Sequence, residues 1–161
     1  MLKNSNETIT LPEFTVTVVN TQGEQQTTLP NLMAGSDKGL IIYFYPKDNT
    51  PGCTVQAVDF TANFDKLAAL GYRVIGVSRD SVKSHGNFIA KQSLNIDLIS
   101  DPDEVLCKHF DVIKEKMLYG KTHLGVVRST FVYDKNAQMI GSFRNVKAKE
   151  HVDQLLEFLS N

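Results

Sequence analysis

Two apolar runs constrain this chain most: LIIYFY at residues 40–45 and YRVIGVS at 72–78, with a helix-patterned segment between them. A continuous run of β-formers has no solvent side, so LIIYFY reads as a central strand covered on both faces. Pro46 ends it, because proline has no N–H for the ladder. Between the runs, Val55, Val58, Ala62, Leu67 and Leu70 fit one helical face from Thr54 to Leu70, and Gly71 sits where a C-cap belongs. Strands alternating with helices demand a sheet with parallel pairs and helices packed on its faces.

The remaining segments extend this plan. Residues 14–29 read as two short strands, FTVTVVN and QQTTL, around a turn centred on Gly23. Asp80 or Ser81 caps a helix to about Gln92, and IDLIS (96–100) is a short strand. Asp101 before Pro102 opens a short helix through about Phe110. Segment 112–127 reads as a long, partly exposed loop, whose Met117, Leu118 and Tyr119 could shape an apolar entrance or simply pack on the core. STFVYD (129–134) and QMIGSFRN (138–145) form an antiparallel hairpin. Lys149 to Leu159 is an amphipathic helix with Val152, Leu155, Leu156 and Leu159 inward. The order is an α/β one with a central mixed sheet flanked by helices and an N-terminal hairpin extension. It matches a thioredoxin-like fold, although periodicity alone does not single that fold out. One domain spanning residues 1–161 is expected.

Composition excludes several classes. With 42% hydrophobic and 22% charged residues the chain is neither disordered nor membrane-embedded in character. A net charge of −1 without a Lys/Arg run argues against nucleic acid or acidic membrane as partner. MLKNSNETITLPEF has no apolar h-region, so no secretory signal is expected, and the cytoplasm is the default location. Two cysteines this far apart do not make a disulfide framework.

Cys53 follows a Pro/Asn/Gly-rich loop and the turn Thr50-Pro51-Gly52, at the first turn of the next helix. Unpaired N–H groups and the helix dipole favour an anion there, so a thiolate is stabilised. Such a thiol suits peroxide reduction, thiol exchange or acylation. The alternative is a small buried hydrophobe at a strand–helix turn. Gln56 stands where a C-x-x-C motif needs its second cysteine, which disfavours a disulfide oxidoreductase. The chain also has no Trp, which a glutathione peroxidase-like enzyme usually uses. His85, His109, His123 and His151 are scattered, so no metal site is expected, and the isolated glycines offer no nucleotide fingerprint.

Pro46, Thr50 and Cys53 spell the P-x-x-x-T-x-x-C signature of peroxiredoxins, and YFYPKDNTPGCTVQA resembles the bacterioferritin comigratory protein, or peroxiredoxin Q, subfamily. The resemblance continues through GVSRDS (76–81), LISDPD (98–103), the GK of LYGKTHLG and RSTFVYD (128–134), from Leu11 to Leu159. It implies a thiol-dependent peroxidase, without a cofactor, that reduces hydrogen peroxide and organic hydroperoxides. Cys53 resembles the peroxidatic cysteine, Thr50 the threonine that orients thiolate and peroxide, Pro46 the proline that shields the sulfur, and Arg128 the active-site arginine. A guanidinium at Arg128 would favour the thiolate and the developing charge on the leaving oxygen. Taken alone, Arg128 is a surface arginine at a strand start.

Most relatives carry a resolving cysteine where this chain has Val58, and others at a position that aligns with Ile89. Cys107, in EVLCKHF beside Leu106 and Phe110, reads as a buried structural thiol. A one-cysteine mechanism with an external thiol, thioredoxin or glutaredoxin/glutathione, is therefore expected of a monomer. The alternatives are a two-cysteine enzyme using Cys107, or a redox sensor or holdase on the same fold.

Overall fold

The computed structural model describes residues 2–160. LIIYFY lies almost wholly in β3 (Gly39–Phe44), which is buried along its entire length, as a strand with helices on both sides must be. It pairs in parallel with β4 (Tyr72–Ser78), Ile42 opposite Ile75, and antiparallel with β8 (Ser129–Asp134), Ile42 opposite Phe131. Adding β1 (Val16–Asn20), β2 (Gly23–Thr27), β5 (Asp97–Ser100) and β9 (Met139–Phe143) gives a seven-stranded mixed sheet in the order β2-β1-β5-β4-β3-β8-β9. Period-two alternation splits the core into two layers. Leu40, Ile42 and Phe44 face one layer with Leu29, Leu32, Cys107 and Phe110. Ile41, Tyr43 and Tyr45 face the other with Cys53, Ala57, Phe60, Val152 and Leu155. Each large side chain fully removed from water here contributes about 1.5–3 kcal/mol.

Several expectations need correction. The segment read as one helix from Thr54 to Leu70 is two, α2 (Pro51–Ala62) and α3 (Phe64–Ala69), broken at Asn63, whose side chain and backbone N–H both donate to Asp59 O. The inward stripe of α2 is Cys53, Gln56, Ala57 and Phe60, whereas Val55 and Val58 are exposed. Apolar spacing alone picked the wrong face because a polar residue, Gln56, faces inward, where its side chain accepts from Arg128. The strand read to residue 29 stops at Thr27, and α1 (Leu29–Ala34) follows. Its signal was present: Thr28 Oγ1 accepts from the Asn31 N–H, and Pro30 sits in the first turn.

Helix α4 (Val82–Gln92) is capped by Ser81, one of the two residues expected. Helix α5 (Val105–His109) begins later than Pro102, because Glu104 takes a left-handed conformation (φ 62°). Asp101 still caps it from a distance, accepting from the Leu106 and Cys107 N–H groups. The expected loop at 112–127 is a hairpin of β6 (Ile113–Leu118) and β7 (Lys121–Val126), turned by Tyr119 and Gly120 at φ 52° and 75°. Two successive left-handed residues suit the twist of a tight hairpin. Its tip stands away from the large sheet, with Met117, Tyr119 and Leu124 exposed, so it lacks the half-buried alternation that marks a strand. Helix α6 (Ala148–Ser160) closes the chain, buries Val152 and Leu155, and packs Leu156 and Leu159 partly against the same layer.

Candidate active site

The Tyr45 N–H donates to Val77 O (3.1 Å), prolonging the β3–β4 pairing by one residue before Pro46 ends it. The chain then leaves the sheet through Asn49, which adopts φ 61°, and reaches Thr50, the extended residue that starts α2. Pro51 occupies the first turn, where its missing N–H costs nothing. A side chain at Gly52 would come within 3.2 Å of Arg128 Nη2 and 3.8 Å of Ala148 Cβ, so glycine is what lets these groups approach. Cys53 follows, at 2% exposure.

Arg128, just before β8, reaches across to this turn. Its Nη2 donates to Cys53 Sγ at 3.4 Å and its Nη1 to Gln56 Oε1 at 2.6 Å. Its carbonyl accepts from the Val146 N–H (3.0 Å), which fixes the backbone from the α6 side. Cys53 and Arg128 are thus brought into contact from positions 75 residues apart. Thr50 lies in the turn beside them, with its hydroxyl donating to Lys47 O (2.8 Å) rather than to a group of the α2 turn. That bond uses its one proton and leaves its oxygen as an acceptor. Pro46 begins the same loop and is half-buried.

Three further residues bear on this site and were not singled out from the sequence. Gln56 is fully buried on the Cys53 stripe of α2, three residues on, a spacing that places both side chains on one helix face. Lys116, half-buried on β6, lays its side chain over Gly125, where a Cβ would meet Lys116 Cδ at 3.0 Å. Burial and then the Arg128 charge pull the Lys116 ammonium below its ordinary range, while Cys53 pulls it back up. His151 on α6 is buried, bonded through Nε2 to Thr130 Oγ1 (2.7 Å), and lowered to about 4 by burial and then by Arg128. Beneath the turn, burial and then Cys53 push the Tyr43 phenol up, so it stays protonated.

Cys107 is elsewhere. It is fully buried in the layer on the opposite face of the sheet, and burial and then Asp101 push its thiol well up. Val58 is on the outer face of α2 and Ile89 is buried on α4. Asp48, Asp80 and His85 bring one possible metal-ligand atom each within 4.8 Å of one another, but those atoms already accept or share hydrogen bonds with neighbouring side chains.

Residues 9–141 match the AhpC/TSA family. The chain is 50% identical over 137 residues to the peroxiredoxin Bcp of Xanthomonas campestris, covering 85% of this chain and 84% of that protein. Its identity to the peroxiredoxin Bcp of Bacillus subtilis is 44% over 124 residues, 77% of this chain and 79% of the relative. Among solved structures, the Xanthomonas campestris bacterioferritin comigratory protein, studied for alkyl peroxide reduction in trapped-intermediate and ligand complexes, superposes with a TM-score of 0.80. That match has 46% identity and covers 91% of this chain and 90% of the other. On this agreement of sequence and thioredoxin-like fold, the chain belongs to the AhpC/TSA family, among its Bcp/PrxQ peroxiredoxins, and is a thiol-dependent peroxidase.

Proposed function

We propose that Cys53 is the thiol that attacks peroxide, and that the oxidised sulfur is reduced by a thiol from outside the chain. The observation that carries the first half is the contact between Cys53 Sγ and the Arg128 guanidinium at the first turn of α2. In that setting the thiolate attacks the terminal peroxide oxygen, the O–O bond breaks, and an S–OH bond forms. The other oxygen departs with the electron pair and takes up a proton to become water or an alcohol. Arg128 is always charged, so it stabilises both the thiolate and the leaving oxygen. Thr50, with its hydroxyl proton spent on Lys47, accepts the proton-bearing end of the peroxide, and Pro46 keeps bulk water from the sulfur.

The second half rests on the sheet that separates Cys53 from Cys107, and on Val58 and Ile89 occupying the positions where the family resemblance implies a resolving thiol. An external thiol condenses with the sulfenic acid, releasing water and leaving a mixed disulfide, and a second thiol exchanges with it to return the Cys53 thiol. Thioredoxin, or glutaredoxin with glutathione, has the required chemistry. The substrates are hydrogen peroxide and organic hydroperoxides, in line with the alkyl peroxide reduction studied in the Xanthomonas relative. We place the enzyme in the cytoplasm as a monomer of one domain, on its even charge balance and the absence of a Lys/Arg run for nucleic acid or an acidic membrane to recognise.

Steady-state turnover with thioredoxin, with glutaredoxin plus glutathione, and with glutathione alone tests this reading. At least one reductant should sustain peroxide consumption, and Cys107→Ser should match the wild type within about twofold. A single stoichiometric burst with every reductant would instead make the chain a redox sensor.

A further inference from the structure

Asp48 lies in the loop between β3 and α2, two residues before Thr50, and is only 5% exposed. Its carboxylate is the hub of a buried network with no part in the chemistry above. Oδ1 accepts from the Tyr45 phenol at 2.7 Å, while Oδ2 accepts from the Ser84 hydroxyl at 2.8 Å and meets His85 Nδ1 at 2.7 Å. The Asp48 N–H donates to Asp80 Oδ2 (2.9 Å), and the Ser78 hydroxyl holds that same oxygen (2.6 Å). His85, on α4, is fully buried, and its Nε2 stands 2.9 Å from the Ile99 carbonyl of β5. A carbonyl only accepts, so Nε2 is the donor to Ile99, and Nδ1 faces the Asp48 carboxylate. Burial, then Tyr43 and the Asp48 charge, push the Tyr45 phenol up and keep it a donor.

Among the described residues, the hydrogen bonds that tie residues 46–49 to α4, β4 and β5 all run through Asp48. The Thr50 hydroxyl bonds only within the loop, to Lys47. Thr50 is held from the α2 side, its carbonyl accepting from the Thr54 N–H (2.9 Å), while the loop between it and β3 is anchored through Asp48.

We propose that the Asp48–His85 pair is a clamp on this loop, and that both are positioning residues for peroxide reduction which also limit the external thiol's access to Cys53. The proposal rests on Cys53 being the reacting thiol. With the clamp closed, Thr50 and the first turn of α2 are held in the geometry that oxidation needs, and the sulfur is shut away. With it open, a bare thiol becomes easier to reach and worse at reducing peroxide.

The experiment measures two rates at Cys53 in Asp48→Asn, His85→Gln and the double variant: oxidation by hydrogen peroxide in a single turnover, and alkylation by uncharged iodoacetamide. The expected result is opposite movement, with oxidation at least about tenfold slower and alkylation at least about threefold faster. The double variant should be no worse than the poorer single, as coupled partners behave. Destabilisation without a positioning role would not move the two rates in opposite directions in the folded protein. Folded variants with both rates within twofold of wild type overturn the proposal, as does a parallel fall of both. Ser84→Ala removes one bond to the carboxylate without stranding a charge, so it carries the test if the others fail to fold: a smaller opposite shift supports the clamp, and unchanged rates overturn it. Cys53→Ser serves as the separate control. Peroxide consumption that survives it would refute the reading of Cys53 itself, whereas its loss beside unaffected clamp variants refutes the clamp alone.

Discussion

At Cys53 the sulfur meets a guanidinium that Gln56 holds in place, 3.4 Å from Sγ on one side and 2.6 Å from Oε1 on the other. A fork bound at both ends is pre-organised, which is what the role proposed for Arg128 requires: charge on the leaving oxygen stabilised without reorganisation. Arg128→Ala should slow the second-order oxidation of Cys53 by about 10²–10³-fold, in the range for losing one charge-stabilising donor. Stopped-flow oxidation of the pre-reduced variant measures this, and an unchanged rate would remove Arg128 from the chemistry. The sequence singled out Cys53, Thr50 and Pro46 by a motif and a helix start and Arg128 by RSTFVYD, and the structure brings Arg128 to Cys53 with Thr50 in the turn beside them, while their roles belong to the proposal. Gln56 was not legible in the sequence, since its role depends on which face of α2 turns inward. Lys116 was hidden too: only a folded hairpin lays it over Gly125.

Among the elements, the buried strands β3 and β4 were plain from their uninterrupted apolar runs, whereas β6 and β7 were not. An arm that packs little of its length has no reason to show alternation, and its signal lies in the Tyr119-Gly120 turn instead. Helix α6 was read correctly as amphipathic, but the apolar count passed over His151, buried among its Val and Leu neighbours. Burial lowers His151 to about 4, against about 6.5 in an unfolded chain. The unfolded state therefore binds the extra proton first as pH falls. The stability that neutral His151 contributes is present above about pH 6.5 and is lost progressively toward pH 4, by up to roughly 3 kcal/mol. Urea unfolding of wild type and His151→Gln at pH 7, 5.5 and 4 should show a shallower acid loss in the variant, whose amide does not titrate in this range. Identical slopes would mean that His151 is not the acid-sensitive group.

For the whole molecule, the decisive fact is that the two cysteines lie on opposite faces of one seven-stranded sheet. Layers packed on a sheet lie about 10 Å from it, and a disulfide needs Cα atoms within about 7 Å. Cys107 could reach Cys53 only if local unfolding, such as unwinding of the first turn of α2, brought the two Cα atoms within that range. The sequence order showed that a central sheet existed, but which thiol lay on which side of it depended on strand order and helix facing, neither of which periodicity encodes. The proposed external reductant would then have to reach a Cys53 that is only 2% exposed at the first turn of α2. Mass spectrometry of the protein treated with one equivalent of peroxide, with a sulfenate trap, tests this most directly. The predicted result is trapped sulfenate on Cys53 with Cys107 still a free thiol; a quantitative Cys53–Cys107 disulfide forming at the rate of turnover would contradict it.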